Sequence, residues 1–266
     1  MNILDQLAGY ARIRVEEKEK QIPKDIIREK AEESSPDTGF PFEAALSGTT
    51  PEGDTIHFIC ECKKASPSKG LIAPEFPCLN IAKEYEKAGA SAISVLTEPK
   101  WFLGDDRYLS EIAKTVHIPC IRKDFTVDSY MIYEAKLLGA SCVLLICAIL
   151  DDRQLAEGIR VCDSLGLSAL VEAHDEEEVK RAAAAGARVI GVNNRNLKDF
   201  TVDIHNSERL RRFAPEGTLF VAESGIRTAS DVQVLRECGV NGILVGETLM
   251  RADDKCAALR ELRGSL

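Results

Sequence analysis

The chain has 266 residues, 45% of them hydrophobic, which suits one large domain and leaves no room for two barrels. A formal net charge of −9 and a pI near 5.2 speak against nucleic acid or an anionic membrane as a partner, so positive charge for an anionic ligand has to be local to a site. No apolar run approaches the roughly 20 residues of a membrane helix, no signal-peptide core opens the chain, and nine cysteines set mainly in apolar runs read as reduced side chains of a cytoplasmic protein.

Residues 1–20 have helical spacing of Ile3, Leu4, Leu7, Tyr10, Ala11 and Val15, with charged residues on the other faces. Pro23 breaks the pattern, a second short helix is expected over Asp25 to Glu33, and Ser34 to Gly39 is turn chemistry. A short apolar piece, Phe40 to Leu46, follows. Such a helical leader suggests a lid or brace instead of core.

From residue 56 the pattern is regular. Apolar, β-branched runs at 56–60, 92–96, 118–121, 142–149, 168–171, 189–192, 219–222 and 242–245 read as strands. Amphipathic stretches lie between them, the last at 253–263, and several close on a glycine (Gly89, Gly139, Gly186, Gly239) that fits a left-handed helix C-cap. Strands alternating with helices and nearly continuous in Val, Ile and Leu require a parallel sheet covered on both faces. A doubly wound sheet is the alternative, but the strand count of eight and the lack of G-x-G-x-x-G after the first strand favour an α/β fold of the (β/α)8 TIM-barrel type. The expected organisation is an N-terminal helical extension over 1–48 packed on a barrel over 49–266, a single domain overall.

In such a barrel, chemistry belongs at the C-terminal ends of the strands. Glu61 and Lys63 follow the first run at i and i+2, hence on one face; alone they could be an ion pair closing a strand. Later ends carry Thr97-Glu98, Arg122-Lys123-Asp124-Phe125, Glu172-Ala173-His174, Asn193-Asn194-Arg195-Asn196, Glu223-Ser224-Gly225 and Gly246-Glu247-Thr248. The fourth end stays apolar. Charges gathered at one end of nearly every strand read as a functional rim. Ser224-Gly225 and Gly246-Glu247 stand where such barrels place a phosphate, and Phe102 and Phe125 with Leu144 and Leu170 can wall a flat aromatic pocket. Cys60 and Cys62 form a C-x-C pair, but with four histidines and no second cysteine pair at ligand spacing no metal is expected.

Glu61-Cys62-Lys63-Lys64-Ala65-Ser66-Pro67-Ser68-Lys69-Gly70, Arg122 to Phe125, Leu170 to His174, Gly191 to Leu197 and Ala222 to Ile226 together resemble the signature segments of the indole-3-glycerol phosphate synthase family, in order and at family spacing, and the helical leader is similar too. The resemblance implies cofactor-free ring closure, decarboxylation and dehydration of 1-(2-carboxyphenylamino)-1-deoxyribulose 5-phosphate to indole-3-glycerol phosphate, CO2 and water in tryptophan biosynthesis. By position it implies Lys123 as general acid at ring closure and Glu172 as base in dehydration. It gives Lys63 as second acid or electrostatic clamp, with Glu61 orienting and charging it; how the two lysines divide the acid steps is left open. Asn193 and Arg195 are expected near the anthranilate carboxylate, Glu223 at the ribulose hydroxyls, and Ser224, Gly225, Gly246 and Glu247 at the phosphate, with Ser66 supporting that end. The Ser66-Pro67-Ser68 turn is expected to be a mobile loop over the site.

Three positions depart from the pattern. Cys62 stands where an aliphatic residue is common and is expected to point away from the barrel interior; Asp105-Asp106 follows Gly104 where a serine is frequent; Asn196 replaces a common aspartate. Two rivals remain: a Schiff-base aldolase using Lys123 as nucleophile, and a non-catalytic phospho-ligand binder on a decayed barrel. The expected partner is a phosphorylated small molecule, with no nucleic acid and no membrane. The chain is expected to be a monomer, weak association with other enzymes of the pathway being left open.

Overall fold

Side chains alternate across a strand, so a parallel barrel needs one parity of each strand to suit its interior and the other to suit the helices outside. In the computed structural model, which describes residues 3–51, 53–196 and 200–264, the sequence sorts in this way. Leu197, which closes one of the motif segments, lies outside the described residues, as do the extreme ends of the leader and of the barrel segment.

The leader forms α1 (Ile3–Glu19), α2 (Lys24–Glu32) and α3 (Pro41–Ala45). The barrel strands are β1 (His57–Cys62), β2 (Ala92–Leu96), β3 (Cys120–Lys123), β4 (Cys142–Ile146), β5 (Ser168–Ala173), β6 (Val189–Asn193), β7 (Leu219–Glu223) and β8 (Gly242–Val245). Helices α4 (Cys78–Lys87), α5 (Asp106–Ala113), α6 (Ser129–Leu137), α7 (Asp152–Ser164), α8 (Glu176–Ala184), α9 (His205–Arg211) and α10 (Ala229–Glu237) alternate with them. A short α11 (Glu247–Met250) and α12 (Lys255–Arg263) follow β8. Among the described residues the strands close in the order β1-β8-β7-β6-β5-β4-β3-β2 and back to β1, every pair parallel. This is the expected (β/α)8 barrel. No described helix is long and apolar enough to cross a membrane.

Ile59, Ala92, Ile121, Leu144, Leu170, Val189, Val221 and Leu244 fill the barrel, while Phe58, Cys60, Cys62, Val143, Val171 and Ala222 face the helices. Cys62 thus points outward, as expected. Gly89, Gly139, Gly186 and Gly239 all have positive φ after their helices, so the left-handed caps form where the glycines allowed them.

Strand ends differ from the sequence reading in a consistent way. Five strands continue past the last apolar residue to include Glu61, Lys123, Glu172, Asn193 and Glu223. An apolar run marks where the barrel interior is dry, but ladder hydrogen bonds continue wherever the backbone finds a partner. The run at 142–149 errs the other way: β4 stops at Ile146 because Ile149 N–H turns back to the Ile146 carbonyl at 3.1 Å.

The leader is more than a lid. Leu4, Leu7 and Ala11 of α1 join the interior apolar cluster from the C-terminal end of the barrel, and Phe42 and Leu46, both fully buried, join it at the other end, Leu46 lying beside Gly242 at the start of β8. The expectation of a brace instead of core is therefore corrected: Phe42 and Leu46 are part of the apolar cluster that fills the barrel. Ion pairs strap α1 and α2 to the wall, Arg14 to Asp124 at 2.6 Å, Lys18 to Asp106 and Glu134 at 2.6 Å each, and Lys24 to Asp128 at 2.6 Å.

Candidate active site

The inward parity that carries apolar residues through the barrel carries charge at its mouth. Two residues beyond Ile59, Ile121, Leu170 and Val221 stand Glu61, Lys123, Glu172 and Glu223, with Lys63 two beyond Glu61 and Asn193 at the end of β6. These side chains meet above the apolar floor in a cavity of about 540 Å³, which Ser66, Phe102, Phe125, Arg195, Ser224, Gly225, Gly246 and Glu247 also line. Every expected site residue therefore faces one cavity. On β4 the inward residues Leu144 and Ile146 stay apolar and form one wall, next to Phe102 and Phe125, whose ring centres lie 6.0 Å apart. Leu170, expected in that wall, is wholly buried beneath it.

Lys123 is the hub. Its Nζ lies 3.5 Å from Glu172 Oε2 and 3.3 Å from Glu223 Oε2. Lys63 Nζ donates to Glu61 Oε1 at 2.5 Å, and Ser94 Oγ to Glu61 Oε2 at 3.3 Å. Asn193 Nδ2 donates to Glu172 Oε1 at 3.3 Å, while its Oδ1 accepts the Arg195 N–H at 3.0 Å. Burial alone would neutralise these groups, but they compensate one another. Burial acts to lower the Lys123 pKa, and the carboxylates of Glu223, Glu172 and Glu61 outweigh it, holding the ammonium well above its usual range. Burial pushes Glu61 up, and Lys63 and Lys123 pull it below the carboxylate norm. Of the coupled pair facing Lys123, Glu172 is held low, burial being overcome by Lys123 and His174; Glu223 is pushed up by burial and by its repulsion from Glu172 and Glu61. The site thus favours a charged Lys123 and an ionised Glu172, while burial and neighbouring carboxylates push Glu223 toward its neutral form.

Glycine makes the pairing of Glu61 and Lys63 fit. A Cβ on Gly246 would stand 2.4 Å from Glu61 Oε1 and 2.8 Å from Lys63 Nζ. This also fixes the Lys63 ammonium beside Gly246, on the β8 side of the cavity. Beyond it, Ser224 and Gly225 take consecutive left-handed conformations, φ 68° and 86°, which costs Ser224 of order 1 kcal/mol. Asn194 Nδ2 donates to the Ser224 carbonyl at 3.1 Å, and its Oδ1 accepts from Ser207, so the turn is held from behind. Lys69, Arg195, Arg227 and Arg251 also line the cavity, and Glu247 pairs with Lys69 at 3.4 Å and Arg251 at 3.2 Å. The Glu247 carboxylate is therefore committed to cations, and only its backbone N–H suits an anion.

Neighbours of the site residues have other work. Arg122 and Asp124 flank Lys123 but have the opposite parity; Arg122, fully buried, reaches Asp106 at 2.8 Å and Glu134 at 2.7 Å, and Asp124 receives Arg14. Asp105 caps α5 through the Arg107 N–H, so neither aspartate of that loop faces the cavity. Glu98 accepts the N–H groups of Lys100, Trp101 and Phe102 at 2.8–2.9 Å and shapes the loop that presents Phe102. Ala65–Ser66 pairs with Gly70–Leu71 in a short hairpin, tied to the Phe102 carbonyl by the Ala65 N–H. The sequence reading did not assign Ile3, Leu4 and Leu7 to the cavity. Amphipathic spacing shows that a helix has a buried face but not which surface that face covers.

The family model described as indole-3-glycerol phosphate synthase matches residues 4–262. The chain is 56% identical to the indole-3-glycerol phosphate synthase of Ruminiclostridium cellulolyticum over 263 residues, covering 99% of each chain. It is 48% identical to that of Lachnoclostridium phytofermentans, covering 99% of this chain and all of the relative. Among solved structures, a 3-hexulose-6-phosphate synthase (TM-score 0.61, 16% identity, 78% of this chain and 98% of that one) and the thiamine phosphate pyrophosphorylase of Pyrococcus furiosus (TM-score 0.59, 19% identity, 79% and 95%) share the fold.

Proposed function

The chain belongs to the indole-3-glycerol phosphate synthase family, and on that premise we propose that the cavity closes the indole ring of 1-(2-carboxyphenylamino)-1-deoxyribulose 5-phosphate by general acid–base catalysis. The observation that carries the reading is the position of Lys123, a buried ammonium held between Glu172 and Glu223 on the cavity floor. The apolar wall of Phe102, Phe125, Leu144 and Ile146 suits the anthranilate ring, and the Ser224–Gly225 and Gly246–Glu247 backbone suits the phosphate across the cavity.

The ring carbon bearing the carboxylate attacks the ribulose ketone, whose oxygen becomes an alkoxide. Lys123 donates its proton there, its ammonium being held charged by three carboxylates until the developing alkoxide needs it. Loss of CO2 restores the aromatic ring. Dehydration then removes the new hydroxyl and a proton, and Glu172, ionised and hydrogen-bonded, accepts that proton. Lys63, 2.5 Å from Glu61 and beside Gly246, is the second acid: it gives a proton to the departing hydroxyl, which leaves as water. Arg195, its backbone N–H anchored by Asn193, offers its planar fork to the substrate carboxylate, and Glu223 faces the ribulose hydroxyls.

A Schiff-base role for Lys123 needs a neutral amine, which this electrostatic setting disfavours. No cofactor enters the scheme. Nine free cysteines, seven of them buried, support a reducing, cytoplasmic location. The test is direct: incubation with the carboxyphenylamino substrate, with indole-3-glycerol phosphate and CO2 followed together and borohydride added in parallel. The reading expects stoichiometric products and no trapped adduct. A covalent adduct on Lys123 contradicts it.

A further inference from the structure

His174 follows β5 directly, two residues after Glu172, with a side chain 19% exposed. Its Nδ1 lies 3.0 Å from Glu178 Oε2, the same oxygen that accepts the His174 backbone N–H at 2.8 Å, and its Nε2 lies 3.3 Å from Glu172 Oε1. Each ring nitrogen therefore faces a carboxylate oxygen. A neutral imidazole would turn a lone pair toward one of them; only the imidazolium serves both. The two oxygens of Glu172 are correspondingly unlike. Oε1 accepts from Asn193 Nδ2 at 3.3 Å and has His174 Nε2 beside it as an ion-pair neighbour without hydrogen-bond geometry, whereas Oε2 has Lys123 at 3.5 Å.

We propose that His174 is a positioning residue for the dehydration step: its imidazolium, fixed by Glu178, holds Oε1 of Glu172, keeps that carboxylate ionised and leaves Oε2 to take the substrate proton. The inference rests on the reading of Glu172 as the base. The charged and titratable groups around the pair are Lys123 on β3, Glu223 on β7 and Glu178 on α8, with the Cys147 thiol after β4 donating to the Glu178 carbonyl. The electrostatics agree with the geometry. Burial acts to lower the His174 pKa, and Glu172 and Glu178 outweigh it and raise it to about 10.

The sign follows. Removing the imidazolium removes a charge that favours ionised Glu172, so the Glu172 pKa rises and activity fails at a higher pH on the acid side. The experiment compares kcat–pH profiles of the enzyme, His174→Gln, Glu178→Gln and Glu172→Gln, with the imidazole nitrogens of the enzyme followed by NMR. Glutamine keeps a donor and loses the charge. We expect the acid limb of His174→Gln to move up by about one pH unit or more, with activity at pH 8 changed only a few fold. Glu178→Gln should move it in the same direction by less, and His174 should stay doubly protonated at pH 7.5. An unmoved acid limb in His174→Gln with Glu172→Gln inactive, or a neutral His174 ring at pH 7.5, overturns the proposal alone. Full activity of Glu172→Gln overturns the base assignment and the role of His174 with it. If His174→Gln fails to fold, Glu178→Gln and the NMR titration decide.

Discussion

Arg14→Met tests how the leader is joined to the catalytic floor. Arg14 meets Asp124 with both ends of its fork, Nη2 to Oδ1 at 2.6 Å and Nη1 to Oδ2 at 3.0 Å, and Asp124 is wholly buried between Lys123 and Phe125 in the chain. Breaking a buried pair usually costs about 3–5 kcal/mol because the remaining charge is stranded. Here Asp124 keeps Thr97 Oγ1 at 2.6 Å and the Phe125 N–H at 2.8 Å, with Arg122 at 3.8 Å, so the lower end, about 3 kcal/mol, is expected. The single tryptophan makes the effect visible, since Trp101 packs edge-on against Tyr10 of α1 at 5.6 Å. In urea, the Trp101 fluorescence transition of the variant should precede the far-UV circular dichroism transition as α1 leaves first. The pH dependence has a definite sign. Burial raises the Asp124 pKa, but Arg14 and Arg122 outweigh it and depress it below the unfolded value, so the stabilisation is complete above about pH 4 and is lost as pH falls through the folded pKa. The difference between enzyme and variant should therefore shrink in acid. A cost under about 0.5 kcal/mol, as for an exposed pair, or a difference that grows in acid, refutes the reasoning.

Three further substitutions probe the cavity and the floor. Arg195→Ala should raise KM about 10–100-fold with kcat largely kept, since a charged hydrogen bond of about 1.5–3 kcal/mol is lost from binding; steady-state kinetics showing a pure kcat effect would contradict the anchoring role. Gly246→Ala puts a Cβ within 2.4 Å of Glu61 Oε1 and should displace the Glu61–Lys63 pair, lowering kcat by up to about 100-fold, and unchanged turnover would show the pair to be dispensable. Phe42→Ala should cost about 3–5 kcal/mol in urea unfolding, as for a buried core aromatic, although Phe42 lies in the leader.

The barrel was legible because its determinants are local and periodic: alternating apolar parity, glycines closing helices, and charge at one end of the runs. The strand ends were not, because Glu61, Lys123, Glu172 and Glu223 look like turn residues until other charges come from strands far away in sequence to compensate them. Arg122, Lys123 and Asp124 show the same limit. Three successive charges read as one rim, yet the Lys123 ammonium enters the cluster of carboxylates, Arg122 turns to α5 and α6, and Asp124, at the cavity's edge, is committed to Arg14 of α1. The cavity contacts of α1 depend on where a helix docks, which its own spacing does not encode. His174 was visible at the rim, but its two carboxylate partners meet it only once α8 folds back on β5.

The central claim is that Lys123 supplies the proton at ring closure, and Lys123→Ala measures it most directly. The assay is single-turnover formation of indole-3-glycerol phosphate, with affinity for the substrate reduced at its ketone measured alongside. The account predicts a loss of at least about 100-fold in rate with that affinity held within a few fold. Turnover left unchanged by the substitution would contradict it.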